Sequence, residues 1–101
     1  MRVAVIYRPR NAPPPDLMPQ LMQGMAEWVG RYRDRMETME FFIGGGGFGV
    51  IDIDDSAELQ RIIAEHPFTL FADVEIRPVV DPDTGLRTLQ DAFAARAGAG
   101  A

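Results

Sequence analysis

The sequence predicts an α+β domain whose elements follow the order β-α-β-β-α-β. Residues 41–80 read in turn as a strand, a glycine turn, a strand, a helix, a proline and a strand. Upstream, residues 2–7 read as a strand with an apolar run at 3–7, and residues 17–33 show helical spacing. Two helices that connect four strands are expected to lie on one face of a single antiparallel sheet.

The first strand and the loop after it are defined by apolar residues and prolines. Residues 3–7 are almost continuously apolar, which is typical of a central strand covered on both faces. Pro9 and the run Pro13–Pro15 disfavour strand pairing, so residues 8–16 are expected to form a loop.

The first helix is predicted to begin near Pro19, a residue that suits the first helical turn. One face is apolar and includes Met25 and Trp28, whereas Gln20, Glu27 and Arg31 lie on the opposite face. The methionines of this helix are expected to be core residues, although they also suit the wall of an adaptable apolar pocket.

The glycine-rich segment separates the predicted second and third strands, residues 41–43 and 50–53. Gly44, Gly46 and Gly49 match the spacing G-x-G-x-x-G. That motif binds a dinucleotide only where it opens a helix, and here a β-rich run follows it. The segment is therefore interpreted as a hairpin turn.

The second helix is predicted over residues 56–65. Asp55 can cap its N-terminus, with Glu58 as the reciprocal partner three residues later. His66 continues the apolar face of this helix and is expected to point towards the sheet, while Pro67 prevents further helix.

The C-terminal part contains one more strand and one more helix. Residues 71–80 alternate, with Ala72, Val74 and Ile76 expected on one face of the strand. A short helix is predicted from Thr84 to Ala95. Residues 1–95 are thus interpreted as a single domain, and residues 96–101 as a disordered Ala/Gly tail.

Composition excludes several classes of chemistry. The 101 residues carry a net charge of −5 and no basic patch, so nucleic acid is not an expected partner. No apolar run is long enough to suggest a membrane span. The chain has no lysine, no cysteine, one serine and one histidine, which disfavours Schiff-base, thiol and serine-nucleophile chemistry and a His-rich metal site. Absence of cysteine is compatible with a cytoplasmic location.

The acidic residues have mainly structural interpretations. Asp52, Asp54 and Asp55 lack the glycine and terminal glutamate of an EF-hand loop. We therefore expect no metal site there. A pairing of Glu75 with Arg77 is expected to be an ion pair across strands or subunits.

His66 is the leading chemical candidate because only histidine has an unperturbed pKa close to neutrality. It can act as a general acid or base at an apolar pocket. The alternative is a structural histidine that interacts with the helix C-terminus. Glu40 and Asp73 are the other candidate catalytic groups, as carboxylates able to abstract a proton next to a carbonyl.

Three segments resemble the muconolactone isomerase-like branch of the dimeric α/β-barrel (ferredoxin-like) superfamily. They are the proline-rich entry at 13–19, the third strand and capped helix at 51–59, and the stretch 66–79 with Asp73, Glu75 and Pro78 in matching places. The first helix lacks the family's lysine, and residues 37–43 lack its tryptophan, histidine and arginine. His66 stands where the family usually has leucine.

The resemblance implies a ferredoxin-like βαββαβ domain that pairs through its sheets into a homodimer or larger homo-oligomer. The apolar second face of the sheet supports the same expectation. The resemblance also implies a cofactor-independent isomerase or cyclase that moves a proton on a small lactone or cyclic ketone, with no cofactor and no metal. The candidate substrate-binding residues are Tyr7, Arg8, Met25, Trp28, Phe42 and Phe68.

Two other functions are compatible with the sequence. One is a cofactor-free monooxygenase that activates a phenolic substrate as a carbanion. The other is a non-catalytic protein that binds a small apolar molecule or has a structural role.

Overall fold

The computed structural model describes residues 1–100 and has the predicted α+β architecture. The elements are β1 (Arg2–Pro9), α1 (Met18–Tyr32), β2 (Met36–Phe41), β3 (Gly47–Asp52), α2 (Ser56–Glu65), β4 (Ala72–Pro78) and α3 (Pro82–Gly100). Short 3-10 turns at Pro15–Leu17, Arg33–Arg35 and Thr69–Phe71 connect them. The four strands form one antiparallel sheet in the order β2-β3-β1-β4, consistent with a ferredoxin-like fold.

The core lies between α1, α2 and one face of the sheet. Strand register places Val3, Val5 and Tyr7 of β1 on that face, because each pairs with an inward residue of β3 or β4. The fully or nearly buried apolar residues are Val3, Val5, Tyr7, Trp28, Ile51, Ile53, Ile62 and Ala72. The alternation predicted for β4 is confirmed, since Ala72 and Val74 pair with Pro9 and Tyr7.

Several element boundaries differ from the sequence-based expectation. Strand β1 continues through Pro9, where a loop had been expected from residue 8. A backbone N–H at position 9 would point towards β3, whose pairing with β1 ends at Tyr7 and Gly47. Proline at this position therefore removes no hydrogen bond from the sheet. Strand β2 ends at Phe41, and β3 begins at Gly47, three residues before the predicted start.

The capped start of α2 is as predicted. The Asp55 side chain accepts a hydrogen bond from the Glu58 N–H at 2.8 Å, and the Glu58 carboxylate accepts one from the Asp54 N–H at 2.9 Å. The helix ends at Glu65, and His66 takes an extended conformation with ψ of 121°. Because the helix ends at Glu65, His66 lies next to the inner face of the sheet, where its ring stacks on that of Tyr7.

The second face of the sheet has an apolar centre and a charged rim. Register places Ala4 and Ile6 of β1 there, together with Phe48 and Val50 of β3. Val3 and Val5 lie on the other face, which the helices cover. The rim carries the ion pairs Arg8–Glu75 at 2.7 Å and Arg2–Glu37 at 2.7 Å.

Helix α3 is longer than predicted. It runs from Pro82 through Gly100, so residues 96–100, expected to be disordered, are helical, and Ala101 lies outside the described residues. Alanine has the highest helix propensity, which favours continuation beyond Ala95. The described chain measures 66 × 25 × 24 Å because α3 extends away from the sheet. Its apolar residues Leu86, Leu89 and Phe93 are 59%, 55% and 62% exposed.

None of the helices described between residues 1 and 100 combines the length and the apolar character needed to cross a membrane.

Candidate functional site

A pocket of about 600 Å³ lies between the inner face of the sheet and helices α1 and α2. Its volume is within the range of small-molecule sites. Its mouth is formed by the loop from Pro9 to Pro13 on one side and by the hairpin from Phe41 to Gly47 on the other. Phe41 is 65% exposed and Phe42 40% exposed there, so the pocket opens to solvent.

Two glycines of β3 create part of this space. Gly47 and Gly49 occupy inner-face positions of β3, because they pair with the inward residues Tyr7 and Val5. A Cβ at Gly47 would lie 2.6 Å from the Glu40 carbonyl oxygen, and one at Gly49 would lie 2.7 Å from the Met36 sulfur. Any larger residue at either position would therefore displace strand β2 or a wall of the pocket.

The walls are mainly apolar and partly adaptable. Helix α1 contributes Met22, Met25 and Trp28, and strand β2 contributes Met36 and Met39. Methionine has three rotatable side-chain bonds and a polarizable sulfur, so such walls can adjust to ligands of different shape. The pocket is consequently suited to a compact apolar molecule.

The fixed wall of the pocket is aromatic. The His66 ring is stacked on the Tyr7 ring, with centroids 3.8 Å apart and planes inclined by 14°. The Trp28 ring meets the His66 ring edge-on at 4.6 Å. The Trp28 Nε1–H donates to the Ile62 carbonyl at 3.0 Å, which anchors the indole between α1 and α2. These contacts hold the imidazole in one orientation.

His66 is a buried, neutral histidine. It is 7% exposed, and burial lowers its pKa from 6.5 to about 4. The Phe68 N–H donates to Nδ1 at 3.1 Å. The expectation of titration near neutrality is therefore corrected: desolvation disfavours the imidazolium, and Nδ1 is already engaged as an acceptor. In this arrangement the ring has no free lone pair with which to abstract a proton at neutral pH.

Tyr7 is also neutral and buried. Desolvation raises its pKa to about 12. Its hydroxyl has no hydrogen-bond partner, whereas the neighbouring Thr69 hydroxyl donates to the Ile63 carbonyl at 2.7 Å. The nearby Thr69 hydroxyl partly offsets the rise in the Tyr7 pKa. The two hydroxyls do not form a hydrogen bond, however. The phenol therefore offers a ring surface to the pocket rather than an anion.

Most of the predicted site residues meet in this pocket. Six of them line it together: Tyr7, Met25, Trp28, Phe42, His66 and Phe68. The candidate base Glu40 borders the pocket at an exposed position of β2, but it pairs with Phe48, so its side chain lies on the sheet face turned away from the helices.

Two predicted residues lie elsewhere. Arg8 and Asp73 pair with each other in the β1–β4 register, on the sheet face that is turned away from the helices. Arg8 binds Glu75 at 2.7 Å, and Asp73 binds Arg10 at 3.1 Å. The strand alternation that places Tyr7 inwards turns Arg8 outwards, so Asp73 and Arg8 cannot act on a ligand in this pocket.

Some lining residues were not identified from the sequence. Met36, Met39 and the inward glycines belong to strands whose boundaries were predicted several residues away. The alternation of Gly47, Gly49 and Ile51 is a period-2 pattern that could have indicated an inner strand face with missing side chains. Asn11 and Arg10 lie in the mouth, where loop geometry rather than periodicity sets their position.

Comparison with known proteins supplies a family without a known activity. A search of curated proteins found no match. The model of a family described as "Domain of unknown function (DUF3303)" matches residues 41–93, which span the β2–β3 hairpin, α2, β4 and most of α3. This match covers slightly more than half of the 101 residues. The chain belongs to the DUF3303 family.

Proposed function

We propose that this protein binds a small, mainly apolar molecule in the pocket between α1, α2 and the sheet. The observation that supports this most directly is the pocket itself, about 600 Å³ in volume and lined by methionine and aromatic side chains. A cleft with these properties and a few buried polar groups is the usual form of a ligand site. Burial of apolar ligand surface supplies the main favourable free energy.

The binding test uses 2-ethylnaphthalene as a compact apolar probe and equilibrium dialysis as the measurement. Met25→Phe narrows the pocket, whereas Met18→Phe places the same change on α1 at a residue outside the lining. We expect saturable binding that Met25→Phe weakens and Met18→Phe leaves unchanged. Equal effects of the two substitutions, or no saturable binding by the unmodified protein, would contradict the proposal.

A cofactor-independent isomerase is the second candidate function. It is favoured by one observation: Glu40 borders the same pocket on the edge strand β2, where its carboxylate would have to reach the ligand around the strand from the outer sheet face. In such a reaction Glu40 removes a proton from the carbon next to a carbonyl, the electron pair moves to the carbonyl oxygen, and the proton returns to a different carbon. The family resemblance suggests a lactone or cyclic ketone as the substrate.

The isomerase is tested by hydrogen exchange at carbon. Incubation with 2-tetralone in D2O should exchange the protons next to the carbonyl faster than buffer does, as followed by proton NMR. Glu40→Gln should abolish the acceleration, and Asp73→Asn, which lies outside the pocket lining, should not. No acceleration by the unmodified protein would remove the enolisation mechanism for this ketone while leaving ligand binding intact.

The monooxygenase alternative has no specific support in the pocket. It requires oxygen consumption with an electron-rich phenol, and that measurement would distinguish it from the isomerase. A cytoplasmic location is retained in the proposal because the chain has no cysteine.

Self-association is the third part of the proposal. The outward sheet face presents Ala4, Ile6, Phe48 and Val50, and α3 presents an exposed apolar stripe. An isolated helix of this length is marginally stable in water without a packing surface. A second copy of the chain would cover both surfaces. The sheet pairing inferred from the family resemblance is one way to achieve this.

A further inference from the structure

Among the described residues, the Nε2 atom of His66 has no protein hydrogen-bond partner and is the polar group best placed to contact a ligand. The Phe68 N–H donates to Nδ1, so the proton of the neutral imidazole resides on Nε2. Within residues 1–98, the Tyr7 hydroxyl is the one fully buried side-chain nitrogen or oxygen without a hydrogen bond. Nε2 of His66 also has no protein partner among these residues. It is therefore not among the fully buried atoms and keeps some accessible surface. Because His66 lines the pocket, its Nε2–H is available to a bound molecule.

We propose that the pocket selects ligands with a neutral carbonyl oxygen, such as ketones, lactones or quinones, which accepts a hydrogen bond from the Nε2–H of His66. This inference rests on the proposed function, because it concerns the ligand of the same pocket. It also assigns His66 a role different from the one expected from the sequence. The imidazole is a hydrogen-bond donor rather than a general base.

Other ligand chemistries fit this donor less well. A carboxylate would lose its hydration without meeting a cation, since burial keeps His66 neutral and the Arg10 guanidinium at the mouth is paired with Asp73 at 3.1 Å. An ammonium group would meet the donor Nε2–H with donors of its own, and an alcohol that accepts from Nε2–H would turn its own proton towards mainly apolar walls. A pure hydrocarbon would leave Nε2–H without a partner, at the cost of its lost hydration. A neutral oxygen acceptor satisfies the site.

The position of the donor is fixed before a ligand arrives. The stack on Tyr7, the edge contact with Trp28 and the hydrogen bond from Phe68 restrain the ring on three sides. A donor held in this way loses little conformational entropy when it binds an acceptor. The same fixed donor would stabilise the oxyanion of an enolate, which connects the inference with the isomerase candidate.

The test compares two probes of similar shape, 2-acetylnaphthalene and 2-ethylnaphthalene, in three proteins. His66→Asn retains an oxygen near the position of Nδ1 for the Phe68 N–H but removes the donor at Nε2. His66→Gln places an amide donor near the position of Nε2. Dissociation constants come from equilibrium dialysis, and the carbonyl stretch of bound 2-acetylnaphthalene comes from infrared spectroscopy.

We expect His66→Asn to weaken binding of the ketone by about 2- to 12-fold relative to the hydrocarbon, as for the loss of one neutral hydrogen bond. His66→Gln should retain most of the ketone affinity. The carbonyl stretch should lie at lower frequency in the unmodified protein than in hexane, and should return towards the hexane value in His66→Asn.

The outcomes separate this inference from the proposed function. If both probes bind but His66→Asn weakens them equally, or the bound carbonyl absorbs as it does in hexane, the donor role is wrong and the pocket remains. If neither probe binds the unmodified protein, both proposals are wrong. The infrared measurement on the unmodified protein decides the matter even if His66→Asn does not fold.

Discussion

The imidazole of His66 lies flat against the phenol ring of Tyr7, with 3.8 Å between the ring centroids and 14° between the planes. The two residues come from different parts of the chain: His66 directly follows α2, and Tyr7 lies in the second half of β1. Both rings are neutral at pH 7, because burial lowers the pKa of His66 to about 4 and raises that of Tyr7 to about 12. The stack therefore gives the pocket a polar but uncharged wall.

Burial of His66 predicts a dependence of stability on pH. Its pKa is 6.5 in the unfolded chain and about 4 in the folded protein. Between these values the unfolded state binds more protons, so the stabilisation is fully present above pH 6.5 and is lost as the pH falls towards 4. The free energy of unfolding, measured in urea at each pH, should fall by up to about 3 kcal/mol over this range.

The control for this prediction is His66→Gln, which cannot titrate. Its stability should be almost constant from pH 6.5 to 5. The carboxyl groups of Glu37, Glu65 and Glu75, whose pKa values are lowered chiefly by hydrogen bonds from Arg2, Tyr32 and Arg8 respectively, contribute mainly below that range. A slope that is the same in both proteins would show that His66 is not buried as described.

Tyr7→Phe should maintain or increase stability. The substitution removes a buried hydroxyl that has no hydrogen-bond partner, and such a group costs about 1–3 kcal/mol. The raised pKa of Tyr7 also means that the unmodified protein loses stability as the pH rises above 10, and the variant should lose less. Urea unfolding at pH 7 and pH 10.5 checks both points. A loss of more than 1 kcal/mol at pH 7 would indicate that the hydroxyl is bonded.

Gly46→Ala should destabilise the β2–β3 hairpin more than Gly44→Ala does. Both glycines have positive φ, +82° and +97°, so each substitution introduces backbone strain of about 1–2 kcal/mol. Only at Gly46 would the new Cβ overlap the Tyr7 carbonyl oxygen and lie 2.9 Å from the Pro9 side chain, whereas at Gly44 it has open space. Thermal unfolding measures the difference. Equal losses would mean that the hairpin does not approach β1 at the mouth of the pocket.

Self-association through α3 is tested by placing charge on its two faces. Leu89→Glu introduces a carboxylate into the exposed apolar stripe, and Ala95→Glu introduces the same group on the opposite face of the helix. Sedimentation velocity should show a dimer or larger assembly for the unmodified protein and for Ala95→Glu, and a monomer for Leu89→Glu. A stable monomer of the unmodified protein in dilute solution would contradict the proposed homo-oligomer.

The fold could be predicted from the sequence because its signals are local. The periodicity of α1, the Asp55 cap of α2 and the alternation of β4 each reflect contacts within a few residues. Strand ends were less accurate, because the position of Gly47 and Gly49 inside β3 depends on pairing with β1. Helix α3 was underestimated because its length depends on alanine propensity rather than on apolar residues.

The candidate site could be predicted only in part. The inward direction of His66 follows from helical spacing, and its approach to Trp28 and Tyr7 requires the tertiary structure. The protonation state of His66 could not be read from the sequence, since it depends on burial and on the Phe68 N–H. Asp73 was assigned to the site although the alternation of β4 already separated it from Ala72 and Val74.

One measurement tests the central claim most directly, the nitrogen NMR spectrum of the single histidine during a pH titration and a ligand titration. The chain contains one histidine, so its two ring nitrogens are assigned without ambiguity. We expect a neutral ring with the proton on Nε2 at pH 7, a pKa well below 6.5, and a shift of the Nε2 resonance when 2-acetylnaphthalene binds. A ring that titrates near pH 6.5 and does not respond to the ligand would show that His66 is not part of a ligand pocket.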